Sequence, residues 1–156
     1  MLSTPKHGWG DITIGNWSDR CSYIDDVPFE LLTSIRRLYD KHEPVLVRFD
    51  AEGWEYIIVF DLFYTHIISN KSDKEGFNYF SIDVNIDDLV KELISDIRRD
   101  IDGWSKWLCY SDVTAEKIFE RKRFLLNLCD SLERCIKRTK GDIVVEPEVD
   151  VWELLK

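Results

Sequence analysis

The densest run of β-branched and aromatic residues lies at 44–69, and the rest of the chain is organised around it. Apolar side chains recur at every second position from 45 to 49, which is the period of a β-strand. The polar break at 50–53 ends in a glycine that can adopt positive φ, so it predicts a hairpin turn. The return strand beginning at Trp54 is apolar on nearly both faces, which is typical of a central strand.

Apolar residues at helical spacing predict three helices. The first, at 28–42, follows the Asx cap of Asp25 and Asp26. The second, at 86–101, has one continuous apolar stripe, and Gly103 ends or kinks it. The third spans 114–139, its last turn is basic, and Gly141 is its predicted C-cap.

Further strands are predicted on both sides of the central hairpin. One begins at 11–15 and continues toward Tyr23 after a bend. Another spans 77–84, beyond a polar loop at 70–76, and a short edge strand is predicted at 143–145.

Strands combined with one leading and two trailing helices indicate an α+β fold in a single domain, 1–156. We expect an antiparallel sheet of three to five strands with about three helices packed mainly on one face. Residues 1–10 are expected to be a loose lead-in, and residues 148–156 are expected either to dock through Trp152, Leu154 and Leu155 or to fray.

The formal net charge of −9 argues against general nucleic-acid binding, which needs a basic surface. Acidity favours a basic partner, although many cytoplasmic proteins are acidic simply for solubility. The four cysteines lack zinc-site spacing, so reduced thiols, no metal and no cofactor are expected. With no signal peptide and no long apolar run, the sequence predicts a cytoplasmic protein that does not act on membranes.

The sequence carries no phosphate-binding loop, no nucleophile elbow and no zinc-binding helix motif. His66, on a predicted strand, is expected to be an ordinary satisfied histidine. Asp61 and Asp83 lie on probable neighbouring strands with Glu55 near, so an Mg²⁺ site for phosphodiester cleavage is one alternative. The other interpretation is that these carboxylates are solvated at strand ends.

Two groups of acidic residues are candidate contact sites for a partner. Four carboxylates share one face of the second helix: Asp88, Glu92, Asp96 and Asp100. They form either a solvated face or a negative ridge for a cationic partner. At the hairpin, Trp54 sits among Asp50, Glu52 and Glu55, an aromatic anchor with a polar rim such as interfaces use. Trp54 as a plain core residue is the alternative.

The chain as a whole resembles the small bacterial immunity proteins of contact-dependent growth inhibition and related polymorphic toxin systems. The segments that carry the likeness are Phe80 to Val90, a strand leading into a helix, and the tryptophan-rich stretch from Asp102 to Leu108. These families are diverse, so no functional residue is transferred by position.

The resemblance implies a cytoplasmic, non-enzymatic inhibitor that binds one cognate toxin, often a nuclease, and covers its active surface. The acidic residues at the hairpin, or else those on the second helix, would be the contacts. Two alternatives stay open: a metal-dependent enzyme acting on nucleic acid or nucleotide, and a phage-type mimic of nucleic-acid charge.

Overall fold

The computed structural model describes residues 1–71, 76–107 and 114–139. Within them the chain forms six strands and four helices. In chain order these elements are β1 (Trp9–Ile14), β2 (Trp17–Ser22), α1 (Val27–Lys41), β3 (Val45–Asp50), β4 (Glu55–Phe60), β5 (Tyr64–Ser69), β6 (Asn78–Asp83), α2 (Ile86–Arg99), α3 (Ile101–Ser105) and α4 (Ala115–Thr139). The predictions for Gly141, residues 143–145 and residues 148–156 fall outside the described part of the chain.

The α+β class with antiparallel strands is confirmed, but the strands form two sheets. β1 and β2 make a two-stranded sheet, and β3 to β6 make a four-stranded sheet in sequential order. The two sheets share one core: the Trp17 and Tyr56 rings meet edge to face at 5.3 Å, and the Tyr56 hydroxyl donates to the Arg20 carbonyl at 2.8 Å. The core lies between one face of the larger sheet, the small sheet and the helices.

The helix predictions hold because the local signals are strong. Asp26 caps α1 through Phe29 N, with Pro28 in the first turn, and Asn85 caps α2 through Asp88 N. Gly103, predicted to end or kink the second helix, lies within the short helix α3, whose N-cap is Asp100. Buried Trp104 and Trp107 follow, with ring centroids 5.1 Å apart, so the tryptophan-rich stretch closes the core.

The apolar run that follows Trp54 favours a single return strand through Leu62 and Phe63, but the structure divides this run. The chain turns again between Phe60 and Tyr64, so β4 and β5 are separate antiparallel strands. The Asp61 amide donates to the Tyr64 carbonyl at 3.0 Å, and the Asp61 side chain accepts from the amide of Phe63 at 3.2 Å. This local Asx-type bond lets the chain reverse without glycine or proline.

Residues 1–10 were expected to be loose, and this expectation is wrong. Met1 and Leu2 are buried at 5% and 3% exposure, and Leu2 bridges to Ile12 beside β1. The Leu2 amide also donates to Oδ2 of Asp96 at 2.7 Å. An apolar side chain in the core and a buried polar contact hold the segment against α2.

Candidate functional site

The turn between β3 and β4 carries two of the predicted acidic contacts. Oδ1 of Asp50 accepts from the Glu52 amide at 2.8 Å, which orders the turn. Glu52 is exposed, has a φ of 54°, and its carboxylate accepts a hydrogen bond from the hydroxyl of buried Ser22. The turn is therefore attached to β2 and has a fixed shape.

Two acids that sequence reasoning did not assign to this site lie near the turn: Asp25, in the segment before α1, bonds to it, and Glu30, in the first turn of α1, lies within electrostatic range of Asp25. Oδ2 of Asp25 accepts from the Asp50 amide at 2.6 Å. Burial and the Asp50 charge raise the pKa of Asp25. Burial, with the charges of Asp26 and Asp25, likewise raises the pKa of Glu30. We call Asp25, Glu30, Asp50 and Glu52 the tip cluster.

The neighbouring acid Asp26 is neutralised within the chain. Both of its carboxylate oxygens accept from the guanidinium of Arg121, whose side chain is only 10% exposed. Lys122 pairs with Asp102 at 2.7 Å. Two residues of the basic run on α4 thus serve internal ion pairs.

Glu55 and Trp54 lie beside the tip cluster but are engaged within the chain. Glu55 pairs with Arg48 on the adjacent strand. The Trp54 indole donates to Oδ2 of buried Asp19 at 3.1 Å. The Lys71 ammonium lies 4.3 Å from the Trp54 ring centroid and 2.8 Å from Oδ1 of Asp19. Trp54 is therefore half-buried and fixed, with a cation above its ring.

The four acids predicted on the second helix do not form one exposed ridge. Asp88 pairs with Lys91 and is exposed, while exposed Glu92 contacts the buried Met1 ammonium. Asp100 accepts from the Gly103 amide at 3.1 Å as a helix cap.

Asp96 is buried and cannot be an exposed contact. Its Oδ2 accepts from the Met1 ammonium and from the Leu2 amide, both at 2.7 Å, and its Oδ1 pairs with Arg99. Burial alone would raise the pKa of Asp96, but these hydrogen bonds and positive charges outweigh it and lower the pKa. The prediction that Asp96 contacts a partner is therefore wrong.

The proposed cluster of Asp61, Asp83 and Glu55 does not assemble. Asp61 follows β4 and Asp83 pairs with Tyr64, so both lie at one end of the sheet. Glu55 opens β4 at the other end, about 20 Å away for a six-residue strand. In the described ranges, no group of three or more His, Cys, Asp or Glu side chains is placed to hold a metal ion.

His66 lies on the second face of the larger sheet, opposite Val59. It is 2% exposed, and its Nδ1 lies 2.8 Å from the Tyr79 hydroxyl, with the two rings stacked. The histidine is thus satisfied by a hydrogen bond.

A scan against protein-family models finds no match, and comparisons with curated proteins and with solved structures find none either. Among the helices of the described residues, none combines the length and apolarity needed to cross a membrane.

Proposed function

We propose that this protein is a non-enzymatic immunity protein that binds a cognate toxin, a basic nuclease domain, in the cytoplasm and covers its active or substrate-binding surface. The observation that carries the proposal is the tip cluster. Burial raises the pKa of Asp25 and Glu30, and neighbouring carboxylate charges raise it further, so a cation placed beside these side chains would stabilise their charged forms. A nuclease carries such cations to hold phosphates.

Two features favour the tip cluster over the second helix as the contact surface. On that helix Asp88, Glu92 and Asp96 each pair with a cation of the chain, and Asp100 is a helix cap. The acids of the tip cluster form no ion pair within the described residues. The tip cluster, in contrast, is held in a preformed arrangement by backbone and Ser22 hydrogen bonds. Preformed contacts reduce the entropy lost on binding.

The tip cluster would be one part of a larger interface. A specific complex buries about 1,200–2,000 Å² in total, and charged groups near its rim mainly speed association and select partners. Trp54 and Glu55 adjoin the cluster and would extend the contact along β4.

The test is protection from a specific toxin. The candidate toxin is sought as the C-terminal domain of a large secreted protein encoded beside this chain; the two are co-expressed, and cell survival and nuclease activity are measured. We expect survival, loss of nuclease activity and a stable complex in gel filtration. Survival without the full chain, or toxicity undiminished by it, would overturn the proposal.

The alternative of nucleic-acid mimicry gives a different result in the same assay. A mimic would also displace DNA from unrelated basic nucleases, because it offers charge without a specific surface. Inhibition of only the neighbouring toxin supports an immunity protein.

A further inference from the structure

A cleft of about 460 Å³ opens between the N-terminal segment and α3. The described residues that line it are Pro5, Lys6, His7, Gly8, Tyr23, Gly103, Lys106 and Trp107. Its volume falls within the range of small-molecule sites. The chain has 30 acidic residues, yet the charged side chains among these described lining residues are Lys6 and Lys106, and no carboxylate is among them.

The first wall is a tight turn with a fixed backbone. Lys6 and Trp9 exchange hydrogen bonds of 2.7 and 3.0 Å across His7 and Gly8, whose φ angles are 52° and 81°. A Cβ on Gly8 would lie 2.6 Å from the Tyr23 ring, so only glycine allows this approach. His7 occupies a left-handed position where asparagine or glycine is usual, a type of local strain that clusters at binding sites.

The second wall consists of Gly103, Lys106 and Trp107, and hydrogen bonds fix it as well. Asp100 caps the Gly103 amide, and the Trp107 indole donates to the Asp25 carbonyl at 2.8 Å. Of the acids closest along the chain, Asp100 bonds to Gly103, while Asp102 pairs with Lys122 and also lies within electrostatic range of Lys106. The structure gives Lys6 and Lys106 no ion pair within the described residues.

We infer that this cleft binds a small molecule that carries a phosphate or carboxylate on a planar, apolar body. The two lysines would hold the anion, since an ammonium forms charge-assisted hydrogen bonds with either group. The Tyr23 ring and the glycine surfaces would receive the planar part. The inference is independent of the proposed function.

Titration followed by NMR of the full chain tests the inference with three probes. AMP carries a phosphate, indole-3-acetate carries a carboxylate, and adenosine is planar but uncharged. We expect AMP, indole-3-acetate or both to bind with a Kd of about 1 mM or tighter, and to shift the Gly8 and Gly103 amides. Binding by one anion alone identifies which group the cleft takes, and adenosine should not bind.

Lysine variants separate this cleft from general charge attraction. Lys6→Gln combined with Lys106→Gln should weaken binding about tenfold or more. Lys41→Gln is the matched control, because Lys41 is exposed at the far end of α1, about 20 Å from its start. The inference is overturned if neither anion saturates, if adenosine binds as well as AMP, or if the double variant binds like wild type.

Discussion

The Asp50 amide donates a 2.6 Å hydrogen bond to Oδ2 of Asp25, which ties the β3–β4 turn to the segment that precedes α1. The bond also holds the two negative side chains close enough for the Asp50 charge to raise the pKa of Asp25. The hydrogen bond itself favours the charged form of Asp25, but burial and the Asp50 charge outweigh it, so part of the charge on this surface is unfavourable when no partner is present.

Asp25→Asn is expected to gain stability relative to wild type as the pH rises. Burial raises the folded pKa of Asp25, so the folded state binds its proton more tightly than the unfolded state does. Wild type then loses stability as the pH rises through the interval between the ordinary and the raised pKa, and the neutral amide does not. Urea unfolding at about pH 3 and pH 7 measures this. A variant whose stability relative to wild type is constant across that interval would contradict the prediction.

Asp96→Asn should show the opposite pH dependence. The lowered pKa of Asp96 means that its stabilising contribution is present above the ordinary pKa and is lost as the pH falls through the folded value. Because the variant weakens a buried ion pair, we expect a cost of about 2–4 kcal/mol at pH 7 that shrinks toward acid. Glu92→Gln, at a carboxylate that is 59% exposed and contacts the same ammonium, should cost less than about 1 kcal/mol.

Arg121→Met should destabilise the fold far more than Arg36→Met. Arg121 is 10% exposed and holds Asp26 through both carboxylate oxygens, whereas Arg36 is 46% exposed and lies 3.4 Å from Asp40. We expect about 2 kcal/mol or more for the first and about 0.5 kcal/mol or less for the second. Equal shifts in the denaturant midpoint would show that the Asp26 pair contributes little.

Gly15→Ala tests the contact between the two sheets. Gly15 has a φ of 56°, and an added Cβ would lie 2.7 Å from Cγ2 of Ile82. Backbone strain of about 1 kcal/mol and the collision should together cost about 2–3 kcal/mol. The cost should fall in an Ile82→Ala background, which removes the colliding atom. An unchanged cost there would assign the whole effect to the backbone.

Asp50→Asn with Glu52→Gln should slow association with the toxin about tenfold or more at low salt. Both amides keep an acceptor oxygen for the Glu52 amide and Ser22, so the turn should stay folded while two charges are lost. Asp40→Asn with Glu43→Gln removes the same charge at the exposed end of α1. If both pairs slow association equally, net charge and not the tip cluster steers binding.

The fold class was predictable because its signals are local. The Asp26 cap with Pro28, the Asn85 cap and the stripe of α2 each specify an element within a few residues. The break between β4 and β5 was missed, since the only cue is Asp61 in an otherwise apolar run. From the sequence alone, an aspartate that forms an Asx-type turn cannot be distinguished from an aspartate that is solvated at the end of a strand.

The candidate site was only half predictable. Asp50 and Glu52 stand at a visible turn, but Asp25 reaches them from 25 positions away, and no local pattern encodes that approach. Asp96 fits the polar spacing of a helix face, yet it is buried because Leu2 lies against it, a contact across 94 positions. The spacing of polar residues identifies the polar face of a helix, but it does not show which distant segment covers that face.

The bond between Leu2 and Asp96 sets an order of events during protein synthesis. At about 5–20 residues per second, the opening segment leaves the ribosome several seconds before its partner on α2 exists. Until then Leu2 can bridge to Ile12 of β1 but has no contact with α2, so closure of the core waits for the second half of the chain. The segment before β1, although synthesised well before α2, is thus among the last to reach its final place.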